Sequence, residues 1–113
     1  MTVPATPAAV LLAAANRLEA GGWCQHVGAR NARGWPVHPD DPTAVQWCAM
    51  GAIFATGADA KTMTAAIRLA ESRLDSVPPW KLVPWQDRPY RTVAEVITLF
   101  RRAARGLGAG KER

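Results

Sequence analysis

Four stretches of this chain repeat apolar side chains every three or four residues between recognisable helix start and stop signals. That pattern limits the fold more than any other feature. The first stretch runs from about Pro7 to Ala20. Thr6 stands as N-cap before a proline at the first helical position, Val10, Leu11, Ala14 and Leu18 form a stripe, and Gly21-Gly22 ends it. The second, about Ala44 to Thr56, opens with Thr43 and Gln46 at capping-box spacing, is apolar nearly all round and stops at Gly57. The third, about Ala60 to Asp75, aligns Met63, Ala66, Ile67, Ala70 and Leu74. The fourth, about Val93 to Arg105, starts with a Thr92–Glu95 capping box and turns Val93, Val96, Ile97, Phe100 and Ala104 inward, leaving Thr98, Arg101, Arg102 and Arg105 outside.

Two long segments connect these stretches, and they carry most of the chemically distinctive residues. GGWCQHVGARNARGWPVHPDD holds a turn-like Asn31-Ala32-Arg33-Gly34 flanked by residues able to pair as a small hairpin. SVPPWKLVPWQDRPYR holds four prolines, with Trp80, Leu82, Val83, Trp85 and Tyr90 among them. Apolar residues of that size gain by burial, so this segment is expected to lie ordered across the helices. The expected fold is therefore mainly α. It is a single four-helix domain over residues 1–105, an all-α helical bundle with two long ordered loops, a short β-hairpin near residues 25–38, and a flexible basic tail over 106–113.

With 113 residues, 49% of them apolar and 20% charged, the chain is of one-domain size and unlike a disordered sequence. The stretch AAVLLAAAN is interrupted by Asn16, Arg17 and Glu19, which fits neither a membrane span nor a signal sequence, so a cytoplasmic protein with no membrane association is expected. The net charge is +5, and four of those five charges fall within residues 100–113. Basicity so confined suits the end of a final helix and a solubilising tail. It also leaves open a nucleic-acid contact through Arg101, Arg102, Arg105 and Lys111, one that would weaken steeply with salt.

The order GWCQ, Pro-Val, Asp-Asp-Pro, WCAMGAI, PWQD and RTVAEV resembles a small uncharacterised family, a domain of unknown function found in actinobacterial genomes and phage-like elements. The resemblance spans roughly residues 8–105 and falls on Gly22, Trp23, Cys48, Gly51, Ala52, Trp85, Asp87, Thr92, Glu95 and Val96, none with an assigned role. Family members usually have asparagine where this chain has Gln86 and glycine where it has His26, and threonine is accepted at the position of Cys24. The resemblance implies a phage or actinobacterial setting and no particular activity.

No cofactor is indicated by any motif. Cys24, His26, His38 and Cys48 have the atoms for zinc but not the paired spacing of small zinc sites, so no metal is expected. Two cysteines without a secretion signal are expected to be reduced. Cys48, set in an apolar helix, is expected to be valued for its size, sharing with Gly51, Ala52 and Ala55 a face that lets helix one or four approach closely. Thr92 and Glu95 are read as the cap of the last helix. Trp35, Trp80 and Trp85, beside Arg88 and Arg91, are candidates for a partner-binding surface, since tryptophan and arginine are enriched at binding hot spots.

Three functions follow from these residues. The first is a small non-enzymatic binding or interaction protein with a protein partner, an accessory or defence-related factor in the phage or mobile-element setting that the resemblance implies. Its rival is a small thiol-dependent enzyme using Cys24 with His26 as base and Asp87, because a nucleophilic cysteine needs a base within hydrogen-bond reach. The third is a nucleic-acid binder using the basic C-terminus.

Overall fold

A computed structural model of the chain describes residues 3–74 and 81–106. The described residues form α1 (Pro7–Ala20), β1 (Gly22–Trp23), β2 (Ala29–Asn31), β3 (Pro36–Val37), β4 (Ala44–Trp47), α2 (Ala49–Phe54), α3 (Ala60–Ser72), α4 (Leu82–Gln86) and α5 (Val93–Ala104). The expectation of a mainly α, four-helix bundle is therefore overturned. Five helices accompany a four-stranded mixed sheet, an α/β arrangement.

VQWCAMGAI is divided between a strand and a helix. Residues 44–47 are a strand rather than the first turn of a helix, and the helix begins only after Cys48. The Thr43–Gln46 spacing forms no capping box. Instead the Thr43 amide and hydroxyl both donate to Asp41 Oδ1, closing a turn ahead of the strand. The cap of α2 is Cys48 itself, whose Sγ accepts the Gly51 amide at 3.2 Å. A strand and a helix thus meet at one residue with no loop between them.

The sheet order is β1-β4-β2-β3. β4 lies parallel to β1, with Trp23 opposite Trp47, and antiparallel to β2, with Ala29 opposite Trp47. The expected hairpin is present as β2 and β3, in register Ala29 with Val37. Its turn is held by Asn31, whose Oδ1 accepts the amides of Arg33 and Trp35, and by Gly34 at φ +83°.

α1, α3 and α5 follow the sequence pattern closely. Thr6 accepts the Ala9 amide, Asp59 caps α3 through the Thr62 amide, and Thr92 with Glu95 forms the complete capping box. α1 packs along α5 and α3, burying Val10, Leu11, Ala14 and Leu18 against Ala66, Ala70, Val96, Leu99 and Phe100. The buried stripe of α5 is rotated from the expected one. Leu99 and Ala103 are inside, whereas Val93, Ile97 and Ala104 lie at the margin. α4 arises within the second long segment, where Leu82 and Trp85 supply the buried face. Among the described residues no helix is long and apolar enough to cross a membrane.

Candidate functional site

Two loops that are distant in sequence are laced together by one side chain. Gln86, at the end of α4, is fully buried. Its Oε1 accepts the Trp23 indole N–H at 2.6 Å and the Ala49 amide at 3.0 Å, while Nε2 donates to the Cys24 carbonyl at 3.2 Å and to Asp87 Oδ1 at 2.7 Å. Every hydrogen-bonding position of the amide group is used, as burial demands. Gln25 returns the connection by donating to the carbonyls of Gln86 and Arg88, both at 2.8 Å. This lacing fixes the turn after β1 against the turn after α4.

The turn after β1 carries a backbone outlier. His26 has φ +76°, the left-handed region that a residue with a Cβ enters at a cost of about 1–2 kcal/mol. It is held there because its amide donates to Asp87 Oδ1 at 2.9 Å. The imidazole stands at the same end, Nδ1 lying 3.9 Å from Asp87 Oδ2. The expected pairing of His26 with Asp87 is thus a spatial neighbourhood across 61 residues of sequence.

Beside this pair opens a cleft of about 370 Å³. Val27, Gly28, Pro39, Met50, Gly51, Phe54 and Val83 give it mainly apolar walls, and His26, His38, Cys48 and Asp87 bring polar atoms to them. His38 is in turn joined to Asp40 at 2.5 Å through Nδ1. The back wall is a close crossing of Gly28 and Gly51. A Cβ built on Gly51 would lie 2.9 Å from the Gly28 carbonyl carbon and closer still to its oxygen. That carbonyl also accepts the Cys48 amide at 3.0 Å. The small residue at 51 therefore admits the backbone of the loop after β1, where the sequence pattern pointed to helix one or four.

The two cysteines are differently placed. Cys48 lines the cleft while capping α2. Cys24 does not line it; its thiol donates to the Val27 carbonyl at 3.6 Å, inside the turn. Burial pushes the Cys24 thiol up to about 11, with proximity to Cys48 adding to the effect. Burial likewise raises Cys48, opposed by the Gly51 amide pointing at its sulfur. Both are free thiols, and neither is a thiolate near neutral pH.

The expected surface residues differ in exposure and in partners. Trp35 is 63% exposed at the hairpin, whereas Trp85 is buried with the Arg91 guanidinium 3.9 Å from its ring centre. Arg91 also donates to the Trp85 carbonyl and to Glu95, and Arg88 reaches the Tyr90 hydroxyl. Of the basic C-terminal residues, Arg101 is engaged by Glu19 and Asn16, and Arg105 is exposed just beyond α5. Trp80, Lys111 and nearly all of the expected tail lie outside the described residues. The sequence pattern did not single out Gln25, Gln86 or the apolar lining; the one available signal was the PWQD element, which marks position 86 without showing what the amide holds.

No curated protein and no solved structure matches this sequence. A family model does, over residues 2–106, and its family has no assigned activity. The chain belongs to DUF6197, a family of unknown function.

Proposed function

We propose that this chain is a small non-enzymatic binding protein and that its ligand site is the cleft between the loop after β1 and the turn after α4. The observation that carries the reading is the cleft's composition. It is concave, largely apolar and of small-molecule size, and a few polar side chains converge on it. The lacing through Gln86 supports the same reading, because a preorganised wall spares a ligand the entropic cost of ordering it.

The thiol-enzyme alternative draws on the same cleft, with Cys48 rather than Cys24 beside His26 and Asp87. It is disfavoured because both thiols are shifted upward, whereas catalytic cysteines are shifted downward. A cytoplasmic site of action belongs to the proposal, and two free thiols suit a reducing compartment.

Ligand-observed NMR with a library of small apolar fragments tests the reading against wild type and Val83→Trp. Val83 is a lining residue 41% exposed to solvent, so a larger ring there narrows the cleft while disturbing little of the core. Fragments that bind wild type and are lost in Val83→Trp, at unchanged melting temperature, support the assignment. Absence of binders, or binders indifferent to Val83→Trp, refutes it.

A further inference from the structure

We infer that the cleft selects a small apolar molecule bearing a primary ammonium group, which Asp87 receives through Oδ2; this rests on the cleft being a ligand site. The two oxygens of the Asp87 carboxylate have different partners. Asp87 Oδ1 accepts both the His26 amide and the Gln86 amide group, at 2.9 and 2.7 Å. These bonds fix the plane and position of the carboxylate. Oδ2 has as its nearest ion-pair neighbour His26 Nδ1 at 3.9 Å, beyond hydrogen-bond distance. One oxygen is thus spent on orientation, and the other, on a side chain that lines the cleft, accepts no hydrogen bond from the described residues.

Charge decides what that capacity suits. Among the described residues that line the cleft, Asp87 is the only carboxylate and no lysine or arginine joins it. An anionic ligand would meet this carboxylate with only the imidazoles of His26 and His38 beside it, the first already facing Asp87 Oδ2. A neutral ligand would satisfy the oxygen with an ordinary hydrogen bond. An ammonium N–H makes a charge-assisted one, stronger than a neutral hydrogen bond, beside the apolar walls of Val27, Met50, Phe54 and Val83. The same walls reward an apolar body attached to the amine.

Three isosteric probes test the inference by NMR titration, following the amides of Gly28 and Gly51: 3-phenylpropylamine, 3-phenylpropan-1-ol and 3-phenylpropanoate. The amine is expected to bind at least about tenfold more tightly than the alcohol, with the acid weakest. Asp87→Asn keeps an Oδ1 able to accept from His26 and Gln86, and it is expected to bring amine and alcohol to equal affinity while leaving the alcohol unchanged. Equal binding of amine and alcohol by wild type overturns the inference and leaves the cleft as an uncharged-ligand site. So does a preference for the amine that survives Asp87→Asn. If none of the three binds, the cleft reading falls together with the inference.

Discussion

Replacing Gly51 with alanine pits helix propensity against packing, and the two have opposite signs. Gly51 lies inside α2, where alanine is favoured over glycine by about 1 kcal/mol on propensity alone. The new methyl would sit 2.9 Å from the Gly28 carbonyl carbon and 3.3 Å from its Cα, against an ordinary carbon–carbon contact of about 3.5–4 Å. The obstacle is backbone, so no rotamer change relieves it. Moving Gly28 away also stretches the bond from the Cys48 amide, worth about 1 kcal/mol, and the overpacking itself costs about 1–3 kcal/mol. The net expectation is a loss of about 2 kcal/mol. For a domain of this size that lowers the melting temperature by about 8 °C, readable by calorimetry or near-ultraviolet circular dichroism. A Gly51→Ala protein as stable as wild type, or more stable as propensity alone requires, would show that the Gly28–Gly51 crossing is not a close contact and would remove the back wall of the cleft.

Four further outcomes are expected. Gln86→Leu leaves the Ala49 amide and the Trp23 indole without their acceptor, costing about 3–5 kcal/mol by denaturant titration; a loss below about 1 kcal/mol would mean that the lacing carries little energy. His26→Gly keeps the amide bond to Asp87 and relieves the left-handed strain, so equilibrium unfolding should show a gain of up to about 1 kcal/mol; destabilisation would assign the histidine ring a structural role. Iodoacetamide at pH 8 should modify native Cys24 about a hundredfold more slowly than the unfolded chain, since raising a thiol from 9.0 to about 11 cuts its thiolate fraction by that factor. Because its folded-state value is the higher one, the Cys24 contribution to stability is intact below pH 9 and declines as pH climbs toward 11, and Cys48, also raised by burial, acts in the same direction, which thermal melts at alkaline pH will reveal. Labelling of either cysteine at the rate of a free thiol would revive the thiol-enzyme alternative.

The long helices were legible in the sequence because their information is local. Thr6, Asp59 and Thr92 cap where capping chemistry allows, and apolar residues recur at helical spacing over 12 to 14 residues. The sheet was hidden because strands of two to four residues are too short to show alternation. β4 also runs directly into α2, so VQWCAMGAI reads as one apolar run with the period of neither element. Asn31 and Gly34 marked the hairpin through turn chemistry, which is again local. His26 and Asp87 were visible as residue types, but their meeting depends on Gln86, whose four partners are set by the fold. Cys48 shows the limit most clearly: its neighbours suggested a packing residue, and only the strand-to-helix junction makes it a cap.

The placement of Gln86 also sets an order of events during folding. The strand pairings all lie within residues 22–47 and close loops of modest length, so the sheet has the means to form early. The indole of Trp23, the carbonyl of Cys24 and the amide of Ala49 find their partner only when position 86 arrives, across a separation of as many as 63 positions. The apolar stripe of α1 likewise waits for α5. A nascent chain that has emerged only through α3 therefore has a sheet without its polar clasp and a first helix without its main partner. The cleft is among the last features to be completed, and its integrity reports whether the whole chain has folded.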